Sequence, residues 1–367
     1  MGGQPSRRQA RKSGQPTPGS SPAGEGGCAA AVGGGRLEVD LGLLDRFPRA
    51  GLAQVYAPLE RWSRFEQLTG QETWAKRDDI GPLGFGGSKF RKLDLILGQA
   101  LVDGASVVLT TGAIQSNHCR ITAAAAAHLG LPAIIFLRGE RPVTETGNVL
   151  LTRILGAEII YLGPVSYEEV DRQMEARARA LAIEGHSPCI IPLGAATSLG
   201  TVAHVEATRE LAEQCLAVGV SPAAIVVAVG SGSTFAGVCL GAEFYLPRTR
   251  VVGVSVSWSE DKIRSVAGAL IREASALLQV RSEQEEADLD VRTDFLGPGY
   301  TIATEGALAA IRALACTEGV FLDVTYTGKA CHALMDIAAR HEFQGPVIFW
   351  HTGGGPELFS RAAELLE

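Results

Sequence analysis

From residue 106 onward the chain alternates short, almost continuously apolar runs with longer amphipathic stretches. No other feature of the sequence restricts the fold as much. "SVVLTT" (106–111), "AIIFLR" (133–138), "AEIIYL" (157–162), "CIIPL" (189–193), "AIVVAVG" (224–230), "RVVGVSV" (250–256) and "PVIFWH" (346–351) are rich in β-branched residues and bounded by Gly or Pro. Runs of this kind suit strands buried on both faces, because no alternate position is left polar for water. Residues 93–103, 119–129, 146–156, 167–184, 199–217 and 329–341 carry helical periodicity between and beyond them. Strand and helix in strict alternation imply an α/β protein with parallel sheets. A length of 367 residues leaves room for about two domains. Residues 280–294, "VRSEQEEADLDVRTD", read as a solvated surface helix or loop.

Composition removes several function classes. The net charge of -7 argues against a general nucleic-acid binder. No apolar run reaches the roughly 18 residues that span a bilayer, so no integral membrane protein is expected. The seven cysteines are widely spaced and form no CxxC pair, which speaks against a disulfide framework or a cysteine-rich zinc site. A reducing, cytoplasmic location is the natural expectation. The histidines form no HxxxH or HExxH pair, so no metal is expected. Residues 1–36 are dominated by Gly, Pro and Ser and are expected to be a disordered, inert tail. Alternatives for the tail are N-myristoylation at Gly2 of "MGGQPS", an organelle-targeting role, and a mistaken start codon.

Four polar clusters interrupt the alternation. In "GFGGSKFRKL", Gly86 and Gly87 precede Ser88 and Lys89, and a helix follows. Beside a glycine turn a lysine can be desolvated into a nucleophilic amine, the setting for a Schiff base with a carbonyl cofactor. Its bland alternative is a solvated surface turn. "GAIQSNHCR" (112–120) joins a strand to an Ala-rich helix, where Ser116 or Asn117 is either a helix cap or part of a carboxylate-binding site. "GSGSTFAG" (230–237) is a glycine-rich strand-to-helix turn with three hydroxyls, suited to a phosphate monoester. It lacks the lysine of a Walker A loop, and Phe235 breaks the dinucleotide fingerprint. The last cluster is "GPGY" with Tyr300, "TYTGKA" with Tyr326 and Thr327, and "HTGGG" at the carboxyl end of a strand, where open α/β sheets bind ligands. Trp258 and Trp350 read as core residues.

A flat, phosphorylated, lysine-linked cofactor would use all four clusters, and pyridoxal 5′-phosphate is the one that fits. From about residue 37 to the C-terminus the chain resembles the 1-aminocyclopropane-1-carboxylate deaminase / D-cysteine desulfhydrase family. The resemblance is carried by "KRDD", "GFGGSKFRKL", "GAIQSNHCR", "GSGSTFAG", "GPGY", "DVTYTGKA" and "HTGG" in this order. It implies the two-domain, open twisted parallel-sheet fold of the tryptophan-synthase-β-like (fold type II) pyridoxal-phosphate enzymes. A large cofactor-binding domain would comprise residues 37–90 and 200–367, and a small domain residues 91–199.

The resemblance also implies site roles. Lys89 would link to the cofactor and shuttle the proton. Lys92, Ser231, Gly232, Ser233 and Thr234 would hold the phosphate, and Asn117 would meet the ring hydroxyl. Ser116, Asn117 and His118 would bind the substrate carboxylate, with Ser116 as an acid/base. Tyr300 and Tyr326 would line the substrate side and take part in catalysis, and Thr327 would face the pyridine nitrogen. The ring-opening deaminases have Glu at the Thr327 position and typically Gln at His118. A hydroxyl leaves the ring nitrogen largely neutral, which suffices when the leaving group is good.

The expected reaction is therefore α,β-elimination from a small β-substituted amino acid. D-cysteine, giving pyruvate, sulfide and ammonia, comes first. Deamination of the cyclopropane amino acid, or elimination from cysteate or D-serine, is the alternative. Ser88 stands where the family usually has Asn, and "GAAT" (194–197) where it often has GGSN, so the pocket is open to a different or modified β-substituent. A homodimer is the family expectation.

Overall fold

The computed structural model describes residues 42–53 and 57–366, and Gly2. Apart from Gly2, the tail and the roles considered for it lie outside the described residues. The strands are β1 Leu59–Arg61, β2 Thr73–Arg77, β3 Val107–Ala113, β4 Ala133–Arg138, β5 Glu158–Tyr161, β6 Pro188–Ile191, β7 Ala224–Val229, β8 Arg250–Ser255, β9 Asp290–Arg292 and β10 Val347–His351. They form a six-stranded sheet in the order β1-β2-β10-β7-β8-β9 and a four-stranded sheet in the order β5-β4-β3-β6. All pairings are parallel except that of β1 with β2. Both sheets belong to one compact unit.

The continuous apolar runs are explained by burial on both faces. Along β7, Ile225, Val227 and Val229 pack with Phe235, Ile263 and Ile271 of two helices on one side. Val226 and Ala228 pack with Leu314, Leu322 and Leu334 on the other. Successive residues point to opposite faces, so a strand sandwiched by helices needs apolar residues at both parities. β3 and β4 repeat the pattern in the smaller sheet. Val108 and Ile135 face Leu93 and Ile121, while Leu109 and Phe136 face Val170 and Met174.

Three strands were not among the apolar runs. β2 ("TWAKR") carries Lys76, which is fully buried because its ammonium contacts Glu210 and the Ala57 carbonyl (2.8 Å). A paired, buried lysine looks like a surface residue in sequence. β9 lies within the charged stretch 280–294, which therefore contains an edge strand as well as surface chain. β1 is a three-residue edge strand. Among the described residues no helix is long and apolar enough to cross a membrane.

Candidate active site

Residues that follow the carboxyl ends of β3, β4, β6, β7, β8 and β10 line one cavity of about 220 Å³ between the two sheets. Three strand-to-helix or turn-to-helix junctions build it, each shaped by a close approach that only particular residues allow.

At the first junction, Gly86 and Gly87 have φ of 67° and 112°, and a Cβ on Gly86 would lie 1.8 Å from the Asp79 carbonyl oxygen. The turn is clamped where Gly87 N–H donates to Asp78 O (2.9 Å) and Ser88 N–H donates to Thr352 O (3.0 Å). Lys89 is then the first residue of the helix Lys89–Val102, and its side chain enters the cavity.

At the second junction, Ser116 precedes the helix Asn117–His128 and its Oγ accepts from Cys119 N–H at 3.2 Å. The cap and the site are the same residue, since Ser116 also lines the cavity. Asn117 Oδ1 accepts from Asn148 Nδ2 (2.8 Å), which leaves its own amide N–H groups to point elsewhere. His118 lines the cavity, but Thr110 (2.8 Å) and Thr122 (3.4 Å) engage both ring nitrogens. Burial, helped by the Lys89 and Lys92 charges, pushes its pKa down to about 3, so the ring is neutral. What His118 can offer a carboxylate is its backbone N–H at the helix start.

At the third junction, β7 runs through Gly230, Ser231 and Gly232 into the helix Ser233–Tyr245. Gly232 has φ of 90°, a conformation that L side chains rarely adopt. Ser231, Gly232 and Thr234 line the cavity, whereas Ser233 is fully buried behind it. Lys92 Nζ donates to Ser233 Oγ (2.6 Å) and to Gly194 O (3.3 Å). Lys92 is 1 % exposed, and among the described residues no carboxylate pairs with it. Burial first, and Lys89 next, lower its pKa well below the ordinary lysine value. A buried lysine amine beside a helix N-terminus, without a counter-carboxylate, is a site that a bound anion would complete, by favouring the charge that burial disfavours.

Tyr300 and Tyr326 complete the wall, with hydroxyls 2.5 Å apart and rings edge-to-face at 5.9 Å. Burial raises both phenols, so both are protonated at neutral pH. Lys89 Nζ lies 5.8 Å from the Tyr326 ring centroid. Thr327 is not a cavity-lining residue. Its hydroxyl accepts from Asp323 N–H (2.9 Å) and donates to Gly353 O (3.4 Å).

Asp323 was missed in sequence. It is fully buried, it caps the helix Thr327–Ala339 by accepting from the N–H groups of Tyr326 and Thr327, and its Oδ2 has no hydrogen-bond partner. A Cβ on Gly354 would lie 1.7 Å from that oxygen. The available signal was the acidic residue just before a helix start. Trp350 is core as expected. Trp258 packs at the edge of the core but also lines the cavity, which corrects the core-only reading.

Burial lowers the Lys89 pKa from its usual 10.5 to about 8; Asp323 opposes the fall and Arg120 adds to it. Lys89 therefore has a large neutral fraction at mildly alkaline pH, where an ordinary lysine is almost wholly charged. An amine-acylating reagent should modify Lys89 of the cofactor-free protein at a rate that rises with pH through a midpoint near 8. A midpoint near the ordinary lysine value, read by peptide mass mapping, would contradict this environment.

These features fit a flat phosphorylated carbonyl compound: a nucleophilic lysine, a buried lysine without a carboxylate partner at a hydroxyl-rich turn, and glycine backbones at Gly87 and Gly353 whose close contact (2.5 Å from a Gly353 Cβ to Gly87 Cα) leaves no space for side chains. Residues 52–353 match the pyridoxal-phosphate dependent enzyme family, and the chain belongs to that family. It is a pyridoxal-phosphate-dependent lyase with the fold type II architecture.

Among its relatives, the D-cysteine desulfhydrase of Salmonella newport (strain SL254) is 37% identical over 326 residues, covering 86% of this chain and 97% of the relative. That of Salmonella choleraesuis (strain SC-B67) is 38% identical over 334 residues, with the same shares covered. A crystal structure of an ACC deaminase homologue superposes with a TM-score of 0.84 at 37% identity, over 90% of this chain and 99% of that one. The processed form of threonine deaminase isoform 2 from Solanum lycopersicum shares the fold at a TM-score of 0.63 and 15% identity, over 89% of this chain and 86% of that one.

Proposed function

We propose that the protein catalyses α,β-elimination from a small β-substituted amino acid, with D-cysteine giving pyruvate, sulfide and ammonia. The observation that carries this reading is the placement of Lys89. Its amine, shifted to titrate near 8, stands in a cavity that has a carboxylate-binding helix start and a pair of protonated tyrosines. The whole-length likeness to D-cysteine desulfhydrases supports the substrate.

When bound, pyridoxal phosphate withdraws electrons from the substrate and so acidifies the proton on Cα. The chain does the rest. Lys92, Ser231, Gly232, Ser233 and Thr234 would hold the phosphate, and Asn117 would donate to the ring hydroxyl through its amide N–H. Ser116, Asn117 and the backbone N–H of His118 take the substrate carboxylate at the helix start. Lys89, with Ser116 lining the same cavity, takes the proton from Cα. Tyr300 and Tyr326 face the leaving group and hold the proton it needs. Thr327, held behind the cavity wall by Asp323 N–H and Gly353 O, would bring no charge to the pyridine nitrogen, which favours a good leaving group over ring opening.

Deamination of the cyclopropane amino acid is the second reading, favoured by the likeness to the solved ACC deaminase homologue. In this proposal the six-stranded sheet marks the large domain (37–90 and 200–367) and the four-stranded sheet the small one (91–199). The strands of the two sheets divide along those boundaries. We further place the enzyme in the cytoplasm as a homodimer, on family likeness.

The test is the near-visible spectrum of the purified holoenzyme before and after addition of D-cysteine, with assays for sulfide and pyruvate. A band that changes while both products accumulate is the expected result. A band indifferent to D-cysteine but responsive to the cyclopropane amino acid would replace the first reading by the second.

A further inference from the structure

Lys89 and Ser116 reach the cavity from helix starts, whereas Tyr300 reaches it from a loop. Between β9 and the helix Glu305–Glu318, residues 293–304 form no helix or strand. Inside the loop the backbone bonds run from Leu296 N–H to Thr293 O (3.1 Å) and from Ile302 N–H to Gly299 O (3.4 Å). Thr301, next to Tyr300, has φ of 65°, a conformation that a β-branched residue keeps only where its surroundings impose it. A phenol carried by such a segment has a fixed place only if something outside the segment holds it.

Lys329 does so. It lies in the first turn of the helix Thr327–Ala339 and is fully buried. Its Nζ donates to Leu296 O (2.8 Å) and to Gly299 O (2.9 Å), the carbonyl directly before Tyr300. Burial disfavours the ammonium, and the nearby Asp323 and Glu357 favour it. On the other side of Tyr300, Arg361 donates to Thr301 O (2.7 Å) and to Glu357 Oε1 (3.3 Å). Tyr326 directly precedes the helix that carries Lys329. One helix start therefore presents Tyr326 itself and the cation that fixes the loop of Tyr300. The 2.5 Å contact of the two phenols joins elements that Lys329 holds in register.

We propose that Lys329 is a positioning residue for Tyr300: by binding the Leu296 and Gly299 carbonyls it sets the Tyr300 hydroxyl against that of Tyr326 at the leaving-group side of the cavity. The inference rests on the role given to Tyr300 in the elimination reading. Lys329 touches neither the cofactor nor the substrate in this scheme and acts through the loop alone. Its loss orphans two buried carbonyls and lets the phenol drift, and a shift of about 1 Å at a reacting group can cost about 100-fold in rate.

The test is a double-variant cycle on the holoenzyme with Lys329→Met, Tyr300→Phe and the two combined. Lys329→Met, which keeps the length of the stem without the donors, should lower kcat for D-cysteine about 10- to 100-fold and leave KM within about threefold. With Tyr300→Phe already in place, the same change should cost less than about threefold more. A second readout needs no turnover. Burial and Tyr326 raise the Tyr300 phenol in the natural protein. In an alkaline titration followed by tyrosinate absorption, Lys329→Met should ionise one phenol at lower pH, and Tyr300→Phe should abolish that change. An equal fall in kcat with and without the Tyr300 hydroxyl, or an unchanged phenol titration, would overturn the assignment and leave Lys329 a packing residue. A natural holoenzyme that ignores D-cysteine while the phenol titration shifts as expected would uphold Lys329 and remove D-cysteine as the substrate. Should Lys329→Met fail to fold, Lys329→Gln, whose amide donors fall one atom short, goes through the same cycle with the same deciding outcomes.

Discussion

Lys89→Ala should leave a folded protein with at least about 10⁴-fold lower kcat, because one residue is both the nucleophilic amine and the base at Cα. Stability should barely change. Among the described residues the Lys89 side chain makes no hydrogen bond, and the Tyr326 ring centroid is 5.8 Å away. Burial and the Arg120 charge both disfavour its ammonium, against the attraction of Asp323. Truncation therefore removes a charge that the fold tolerates rather than one that holds it together. The measurement is turnover alongside far-ultraviolet circular dichroism and the near-visible spectrum. A variant with native dichroism, altered near-visible absorption and no product is the expected outcome. Turnover within about tenfold of the natural protein would end the assignment of Lys89.

The local chemistry of this lysine could be read from its glycine turn, but its electrostatic setting could not. Gly86 and Gly87 flagged a backbone that had to pass close to something, and the structure supplies Asp79 and Thr352 as that something. The central strands were legible because burial on both faces leaves a continuous apolar run. β2 was not, because Lys76 is solvated by protein groups instead of water. The site residues on helix starts announced themselves through Ser, Asn and Gly at junctions, where caps and anion sites use the same groups. Asp323 gave only the signal of an acid just before a helix start. Such an acid acquires its role only from what the fold places opposite it. Likewise His118 reads as a polar ligand in sequence, whereas Thr110 and Thr122 absorb both of its nitrogens and reduce its offer to a backbone N–H.

The other large effect is expected away from the cavity, at Glu210. Arg91 stands on the same helix between Lys89 and Lys92, and its guanidinium meets Glu210 through two bonds (2.9 and 3.1 Å) and Asp78 through one (2.9 Å). Glu210 also contacts Lys76 and accepts from Ala57 N–H at 3.1 Å. All four charged residues are buried. Glu210→Ala would leave two buried cations to share the single carboxylate of Asp78, and losing one partner of such a set costs about 3–5 kcal/mol. Glu210→Gln keeps the shape and part of the hydrogen bonding, so it should fall between. Burial pushes the Glu210 carboxyl up, but Arg91 and Lys76 together hold it below its ordinary 4.5. Its contribution is therefore present above that pH and lost as pH falls through the lowered value. The gap between the natural protein and Glu210→Ala in denaturant titration should be full at pH 7 and should close on acidification. A gap below about 1 kcal/mol at pH 7 would mean that the network is replaceable. The same variant should bind pyridoxal phosphate more weakly, because Arg91 anchors the helix turn that presents both Lys89 and Lys92. Loss of stability without loss of cofactor affinity would show that this turn keeps its geometry without the anchor.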